Sequence, residues 1–327
     1  MSYQVYRTNS SSYQDTEFFN REKNDLENVE EVKYIKSLTE LDDQSPFILL
    51  SNTHTVPEEL PEVLLDNTVL MIHPNSGHEN IPKNFVQKVD FPIILGNPIR
   101  SHAVVEYIMS CLFHHFTPMT NQQYWSHDRK WERGLLRDQK VLIIGHGNIG
   151  KIVFQTLKPL CSSVEVVDPY IEESHFNKWV HKDFSNIDLS QKSIVIVAAS
   201  LTSTSRGLIN SEFLKKIPQD ATLINPARGE IINETDLITH LQKNERFFAF
   251  LDVFEKEPFN PGHMFEIKNV NKTSHIAGVY SELNNDIIKF EKYIIEKFVH
   301  YHQQGKIDAF KAEFTDFLLK ESSINYF

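Results

Sequence analysis

The segment that most constrains the fold spans residues 140–151 and has the sequence KVLIIGHGNIGK. Its apolar first half predicts a buried strand, which Gly145, Gly147 and Gly150 follow at once. Apolar residues then recur at helical spacing, and the order strand, glycine turn, helix is the context that a dinucleotide fingerprint requires. Gly145 would make the tight turn, Gly147 would let the backbone approach a pyrophosphate, and Gly150 would let the helix pack against the strand. The helix N-terminus would then face the phosphates.

A carboxylate at the end of the next apolar run strengthens this interpretation. Asp168 ends the run VEVVD and lies eighteen residues beyond Gly150, close to the ~20 that the fingerprint expects. It can accept both ribose hydroxyls of the adenosine, and it would repel a 2′-phosphate. The glycine loop and Asp168 together therefore predict NAD rather than NADP. The glycines alone would also fit an ordinary strand-to-helix turn.

Length and composition limit the remaining choices. A chain of 327 residues is long for a single core, so two domains are expected. The net charge of −11 disfavours binding to nucleic acid or to an anionic membrane surface. No signal-like opening and no apolar run of membrane-spanning length is present, which predicts a cytoplasmic protein. Cys111 and Cys161 lie in apolar stretches and are expected to be free thiols. The adjacent His114 and His115 would not share a helix face, so no metal site is predicted.

The amino-terminal region predicts a small α/β unit with a parallel sheet, because short apolar runs alternate with helical or polar connectors. These runs are Val32–Ile35, Phe47–Leu50, Val69–Ile72 and Pro92–Leu95. The charged block at residues 21–33 is expected to be a solvated helix face. Ser101 could cap a long helix that leads to the nucleotide domain. Beyond Asp168, near-continuous apolar runs predict further buried parallel strands.

Three side chains that could carry chemistry follow apolar runs in the second half of the chain: Arg228, Glu257 and His275. The carboxyl ends of strands in an open parallel sheet line the ligand crevice, so the three are expected to converge beside a nicotinamide. Taken singly, each also fits a surface loop, a turn or a structural histidine.

Six segments in this order resemble the signatures of D-isomer-specific 2-hydroxyacid dehydrogenases. That family includes phosphoglycerate dehydrogenase, hydroxypyruvate and glyoxylate reductases and D-lactate dehydrogenase. The segments are Gly145–Gly150, Val167–Tyr170, Leu201–Thr202 with Arg206–Asn210, Asn225–Gly229, Leu251–Pro258 and Ser274–Gly278. The match that they define covers about half of the chain, and six ordered blocks are more specific than any single one. Weaker similarity extends to residues 75–81 and 102–106.

The resemblance implies an α/β fold with two Rossmann-like or flavodoxin-like domains, each with a parallel sheet, and an active site in the cleft between them. Residues 1–98 with 281–327 would form the substrate-binding, flavodoxin-like domain. Residues 99–280 would form the NAD-binding Rossmann domain. The family habit is a homodimer formed through the nucleotide domain, and the segment 119–139, shorter here than usual, leaves that expectation open.

The resemblance also implies the roles of individual residues. Arg228 would hold the substrate carboxylate and polarise the 2-oxo group. His275 would be the acid/base, and Glu257 would pair with it and favour its protonated form. Backbone groups of Ser76 and Gly77 would bind the carboxylate as well. The cofactor-binding residues would be Gly145, Gly147, Asn148, Ile149, Gly150, Asp168, Ser200, Pro226, Ala227, Asp252 and Gly278, with Asp252 binding the nicotinamide carboxamide.

The predicted function is an NAD-dependent oxidoreductase that interconverts a small 2-oxo acid and its D-2-hydroxy acid. An alternative from another class is an NAD-sensing, non-catalytic scaffold, because the same family includes transcriptional corepressors that keep the catalytic residues. Formate dehydrogenase, a relative, is disfavoured because its pattern has glutamine where this chain has Glu257. The sequence leaves the substrate and the direction of the reaction open.

Overall fold

The structure is a computed structural model, and it describes residues 2–11, 14–119, 125, 127–128, 133–171, 178–260, 262, 264 and 266–319. The strands are β1 (Tyr3–Arg7), β2 (Val32–Ile35), β3 (Phe47–Leu50), β4 (Thr68–His73), β5 (Ile93–Leu95), β6 (Lys140–Ile144), β7 (Ser163–Val167), β8 (Val180–His181), β9 (Ile194–Val197), β10 (Thr222–Asn225), β11 (Phe248–Leu251) and β12 (Val270–Lys272). The helices are α1 (Thr16–Glu27), α2 (Glu62–Asp66), α3 (Lys83–Lys88), α4 (Asn97–Phe116), α5 (Asn148–Leu157), α6 (Ser211–Leu214), α7 (Glu234–Lys243), α8 (Leu283–Gln303) and α9 (Ile307–Glu313).

The chain divides into two compact units. The first unit contains the described residues up to Arg100 and those from Tyr280 onward, and the second unit runs from Ser101 to Val279. Each unit has its own parallel sheet and its own hydrophobic core. The predicted α/β class with two parallel sheets is therefore confirmed.

The first unit has a five-stranded parallel sheet in the order β2-β1-β3-β4-β5. This is the doubly wound order of flavodoxin-like folds. The four predicted strands are present, but the sequence pattern did not reveal β1, which lies between β2 and β3. Its residues Gln4 and Arg7 are buried, so the strand lacks the apolar run that a buried parallel strand usually shows.

The second unit has a seven-stranded parallel sheet in the order β12-β11-β10-β9-β6-β7-β8. Apart from the extra strand at one edge, this is the Rossmann order, in which the strand sequence reverses beside the first strand. Here the reversal lies between β6 and β9, and ligands of such sheets bind outside the carboxyl ends of the strands at this point. The glycine loop follows β6 directly.

Local signals explain where several helices begin. Asn233 caps α7 by accepting the N–H of Asp236 at 3.0 Å. Helix α4 begins at Asn97, one turn before the predicted cap Ser101, which is buried within the helix instead.

None of the helices in the described part of the chain is long and apolar enough to cross a membrane. Cys111 and Cys161 are free thiols, as predicted. Much of the predicted 119–139 segment, and the carboxyl-terminal residues 320–327, lie outside the described residues.

Candidate active site

Two of the glycines in the loop after β6 are required by close backbone approach. Gly145 has φ +101°, and an added Cβ would lie 2.6 Å from the backbone nitrogen of Ala199. An added Cβ on Gly150 would lie 2.1 Å from the carbonyl oxygen of Gly145, so only glycine lets α5 start this close to the strand. Gly145 N–H also donates to Val167 O at 2.8 Å, which joins the loop to the neighbouring strand β7.

The third glycine leaves space that fits a bound phosphate. Gly147 is the N-cap of α5. Among the described residues, no side chain caps this helix, and an added Cβ on Gly147 would meet none of their atoms within 4 Å. An uncapped helix N-terminus beside open space is the arrangement that binds pyrophosphates. Asp168, at the end of β7, accepts the N–H of His146 at 2.7 Å and that of Tyr170 at 2.9 Å. A carboxylate has about four acceptor positions, so ribose hydroxyls can still bind. The residues present therefore fit the adenosine and pyrophosphate of NAD.

Arg228 lies in a turn that follows β10 and is fixed by a buried asparagine. Asn225 donates from Nδ2 to Arg228 O at 2.9 Å and accepts the N–H of Ala227 at Oδ1 at 3.1 Å. The guanidinium is half-buried, and its Nη1 donates to Ala227 O at 2.7 Å. An added Cβ on Gly229 would lie 1.9 Å from the carbonyl carbon of Phe254. The Arg228 turn thus packs directly on the backbone that leads to Glu257.

A hydrogen bond joins Glu257 and His275. Oε2 of Glu257 accepts Nδ1 of His275 at 2.8 Å, and Oε1 accepts the N–H of Phe254 at 3.0 Å. Burial alone would raise the pKa of the Glu257 carboxyl, but the hydrogen bonds from His275 and Phe254, with the nearby His275 and Arg228 charges, bring that pKa below its usual range. The two side chains are 35% and 52% exposed, so both are accessible to a ligand.

The backbone of His275 is in the left-handed region, with φ +54°. For a residue other than glycine this conformation costs about 1 kcal/mol or more, and such residues cluster at functional sites. Asp252 stabilises it. Its backbone carbonyl accepts the N–H of His275 at 2.8 Å, and its carboxylate accepts the N–H groups of Ile276 and Ala277, both at 2.8 Å. Asp252 therefore orients the loop that presents His275.

A hydrogen-bonded chain connects Asp252 to helix α4. The Thr273 hydroxyl donates to Oδ1 of Asp252 at 2.5 Å, because a carboxylate only accepts. Since the single Thr273 hydroxyl hydrogen is used there, the Tyr107 hydroxyl must donate to Thr273 Oγ1, at 2.8 Å. Asp252 is fully buried. A buried charge needs hydrogen-bond donors, and here they are the Thr273 hydroxyl and the backbone N–H groups of the loop that presents His275.

A loop in the first unit holds the two residues predicted to bind the substrate carboxylate. The carbonyl oxygens of Ser76 and Gly77 interact with rings of His78 and His73, at 3.0 and 2.8 Å. Burial is the main cause that lowers the pKa of His73 to about 4, so this ring is neutral at physiological pH. Its Nε2 must then carry the hydrogen that reaches Gly77 O, and Nδ1 accepts from Ser51 at 2.9 Å. Among the described residues, no hydrogen bond uses the N–H of Ser76 or Gly77.

The predicted residues thus fall into three groups. Those of the glycine loop lie together with Asp168. The three predicted catalytic residues lie on neighbouring turns after β10, β11 and β12, with Asp252 beneath the His275 loop. Ser76 and Gly77 belong to the first unit. Of the other predicted cofactor residues, Asn148 and Ser200 are exposed, Ile149, Ala227 and Gly278 are half-buried, and Pro226 is buried. Sequence reasoning missed the positioning residues Asn225, Thr273 and Tyr107.

A comparison with known protein families shows which family this chain belongs to. Residues 108–277, more than half of the chain, match the NAD binding domain of the D-isomer specific 2-hydroxyacid dehydrogenases. The chain belongs to this family. The predicted family is thereby confirmed, and the predicted cofactor, NAD, is the one that the matching domain binds.

Individual relatives of this dehydrogenase family member support the assignment. Erythronate-4-phosphate dehydrogenase of Blochmanniella floridana is 28% identical over 221 residues, which cover 66% of this chain and 55% of the relative. D-3-phosphoglycerate dehydrogenase of Bacillus subtilis is 29% identical over 211 residues, 60% of this chain and 40% of that protein. The chain therefore spans only about half the length of the curated relatives that it matches.

Solved structures show the same fold. A probable 2-hydroxyacid dehydrogenase from Rhizobium etli, in complex with NADP, HEPES and L(+)-tartaric acid, has a TM-score of 0.71 at 18% identity, with 98% of each chain covered. The NAD+-bound 3-phosphoglycerate dehydrogenase of Entamoeba histolytica has a TM-score of 0.67 at 17% identity and covers 92% of this chain and 96% of that one. Within the described residues of our chain, no cluster of three or more His, Cys, Asp or Glu side chains is arranged to hold a metal ion.

Proposed function

We propose that this dehydrogenase family member reduces a small 2-oxo acid to its D-2-hydroxy acid, or runs the reverse reaction, with His275 as the acid/base. The observation that carries this proposal is the 2.8 Å contact between His275 Nδ1 and Glu257 Oε2. A carboxylate only accepts, so Nδ1 keeps its hydrogen, and Nε2 is the nitrogen that gives or takes the proton.

The bound NADH would supply a hydride to the carbonyl carbon. His275 then donates its Nε2 proton to the carbonyl oxygen, which completes the hydroxyl group, and it takes the same proton back in the oxidation direction. Glu257 stays ionised at neutral pH, because its pKa lies below the usual range, and its negative charge stabilises the imidazolium.

Arg228 supplies the positive charge that the reaction needs. We assign it to the substrate carboxylate and to the 2-oxo oxygen, where negative charge develops as the hydride arrives. Its position supports this role, since its charge acts on Glu257 and its turn packs on the Phe254 backbone. We also assign the N–H groups of Ser76 and Gly77 to the substrate carboxylate, because neither has an acceptor among the residues that the structure describes.

We further propose that NAD is preferred over NADP. Asp168 is a fixed carboxylate, held by two backbone N–H groups, where the adenosine ribose would lie. A 2′-phosphate would be repelled there, whereas ribose hydroxyls would donate to it. We also keep the predicted domain roles: substrate binding for residues 1–98 with 281–327, and NAD binding for residues 99–280. Asp252 remains our proposed ligand of the nicotinamide carboxamide.

The experiment is a spectrophotometric assay with NADH and a panel of 2-oxo acids that includes glyoxylate, hydroxypyruvate and pyruvate. We expect oxidation of NADH with at least one of them, and a kcat/KM for NADH above that for NADPH. Tight NADH binding with no turnover of any 2-oxo acid would contradict the enzyme and favour the NAD-sensing scaffold.

We propose a homodimer formed through the second unit. Large apolar side chains are exposed around the end of α4: Phe113 at 46%, Met119 at 96% and Leu135 at 45%. Exposed apolar groups in one region are typical of a subunit interface. Light scattering during size-exclusion chromatography tests this directly, and a monomer at micromolar concentration would contradict it.

A further inference from the structure

A hydrogen bond joins the loop after β7 to the loop after β9. The hydroxyl groups of Tyr170 and Thr204 lie 2.8 Å apart. Strand β7 ends at Val167 and β9 ends at Val197, and β6 lies between these two strands in the sheet. Neighbouring strands are separated by about 5 Å, so the ends of β7 and β9 are about 10 Å apart. The bond between Tyr170 and Thr204 therefore passes over the carboxyl end of β6.

The feature beneath this bond is the glycine loop. Strand β6 continues into Gly145, and Gly147 is the N-cap of α5. The N–H of His146 donates to Asp168, which follows β7. Ligands of open parallel sheets bind outside the carboxyl ends of the strands, at this reversal of the strand order. The bond thus closes one side of the site that we assign to the adenosine and the pyrophosphate.

Both ends of the bond are held by further hydrogen bonds. The N–H of Tyr170 donates to Oδ1 of Asp168 at 2.9 Å. The Thr204 hydroxyl lies 3.0 Å from the Thr202 hydroxyl, and the N–H of Thr202 donates to the Ser205 hydroxyl at 2.7 Å. The two loops therefore present the Tyr170 and Thr204 hydroxyls to each other, and the Tyr170 end is fixed to the proposed ribose ligand.

The bond itself is accessible to solvent and can open easily. Tyr170 is 57% exposed, and Thr204 is exposed as well. Water competes for both hydroxyls, so the net free energy of one such hydrogen bond is small. Exposed side chains change rotamer within nanoseconds, so the ring can move aside and return. Such a bond contributes little to folding, but it can keep a site closed for most of the time.

We propose that the hydrogen bond between Tyr170 and Thr204 is a latch over the adenosine half of the cofactor, and that it must open each time NADH enters or leaves. Both partners belong to the protein, so the latch forms in the free and in the NADH-loaded state alike. This inference rests on the proposed place of the adenosine ribose at Asp168, and it does not depend on the proposed reaction.

A latch of this kind changes rates and leaves affinity alone. Its removal raises the fraction of time for which the site is open, so the rate constants for binding and for dissociation of NADH rise by the same factor. The dissociation constant, which is their ratio, stays the same. Two other roles predict different results. A direct contact with NADH would change the dissociation constant, and a purely structural bond would affect the melting temperature.

The test is stopped-flow kinetics that follows the fluorescence of NADH. Tyr170→Phe and Thr204→Val each remove one hydroxyl and keep the shape of the side chain. Each should raise both rate constants by about 2- to 10-fold, the range for one neutral hydrogen bond, with a dissociation constant within about two-fold of the wild type. The double variant should match the single variants, because all three lack the same bond. Melting temperatures should stay within about a degree, as for other exposed substitutions.

Two controls locate the effect. Tyr293→Phe removes the hydroxyl of a tyrosine that is 47% exposed in the first unit, and it should leave both rate constants unchanged. Reduced nicotinamide mononucleotide fluoresces as NADH does but lacks the adenosine half. Its rate constants should be the same in the wild type and in all variants.

Unchanged rate constants in Tyr170→Phe, or a dissociation constant that changes by the same factor as one of them, would overturn the inference. So would a double variant whose effect is the product of the two single effects, or an equal acceleration for reduced nicotinamide mononucleotide. None of these measurements needs turnover, so a failure of the proposed reaction is recognised separately. The NADH affinity of Asp168→Ala tests the proposed ribose site, and an unchanged affinity would remove that site and the latch with it.

Discussion

Each unit contains a cluster built around one arginine, and the two clusters differ in solvent access. In the first unit Arg7 donates to both oxygens of Glu22, from Nε at 2.9 and 3.0 Å, and to Glu291 from Nη2 at 2.6 Å. These side chains are 3%, 0% and 0% exposed. The second unit has Arg228 near the accessible pair of Glu257 and His275. Similar residue types are therefore fully buried in the first unit and accessible to solvent in the second.

Burial raises the pKa of a carboxyl group in both clusters, but the net pKa shifts of Glu291 and Glu257 have opposite directions. Burial, with repulsion from Glu22, raises the pKa of Glu291 to about 8, although Arg7 opposes this. Glu257 is less buried, and its hydrogen-bond donors and nearby cations bring its pKa below the usual range. Glu291 therefore holds a proton at neutral pH, while Glu257 remains an anion. The comparison teaches that access to solvent, more than residue type, separates the buried cluster from the one for which we propose a catalytic role.

The largest expected effect comes from breaking the buried cluster. Arg7→Met leaves Glu22 and Glu291 buried without their cation, which should cost about 3–5 kcal/mol of the free energy of unfolding. Urea denaturation followed by circular dichroism measures this loss. Arg137→Met, at a side chain 79% exposed, should change stability by less than about 0.5 kcal/mol. A similar small change for Arg7→Met would show that the cluster does not stabilise the unit.

The same cluster should make stability depend on pH. The pKa of Glu291 is raised from 4.5 to about 8 on folding, so the folded state binds its proton more tightly than the unfolded state. The stabilisation is fully present below about pH 4.5 and is lost as the pH rises through about 8. Urea midpoints should fall between pH 6 and pH 9, and Glu291→Gln should flatten that decline. An equal decline in this variant would assign the pH dependence to other groups.

In the accessible pair, substitution should reduce activity and spare stability. Glu257→Gln keeps a side chain of the same shape but removes the negative charge that, in the mechanism we propose, stabilises the His275 imidazolium. We expect kcat to fall by roughly 100-fold, the low end of acid–base contributions, with a melting temperature within a degree or two of the wild type. Glu212→Gln, which disrupts the exposed pair with Lys215, serves as the control and should leave kcat unchanged. A large loss of stability in Glu257→Gln would make this pair structural as well.

The smallest effect should come from Tyr107, the residue farthest from His275 in the hydrogen-bonded series Tyr107, Thr273 and Asp252. Tyr107→Phe removes the donor to Thr273 and should cost about 1 kcal/mol in orientation of the loop, or roughly a five-fold loss of kcat. The KM for NADH should change little, because the glycine loop and Asp168 are untouched. Tyr293→Phe, at a residue 47% exposed, is the control. Equal decreases in kcat and in melting temperature for both variants would remove Tyr107 from the active site.

The second unit was predictable from the sequence because its signals are local. The glycine loop, the carboxylate after the next strand and the apolar strands each lie within a few residues of the feature that they define. Asn225, by contrast, resembles any polar residue at a strand end until its bonds to Ala227 and Arg228 are seen. Tyr107 and Thr273 are 166 residues apart, so no spacing rule connects them.

The first unit was harder to predict for the same physical reason. Strand β1 contains Gln4 and Arg7, whose partners come from other elements: Asp42 for Gln4, and Glu22 and Glu291 for Arg7. The charged block at residues 21–33 was predicted to be a solvated helix face, which is wrong at Glu22, because this carboxylate is fully buried. Buried polar groups are recognised only with their partners, and these partners are distant in sequence.

The central claim is that His275 moves the proton in hydride transfer to a 2-oxo acid. The most direct measurement is a single-turnover experiment. NADH-loaded His275→Ala is mixed with the best substrate of the wild type, and the oxidation of the bound NADH is followed by its absorbance. We predict NADH affinity within about three-fold of the wild type and a hydride-transfer rate lower by roughly 10²- to 10⁴-fold. A rate within a few-fold of the wild type, with NADH bound equally well, would contradict the account.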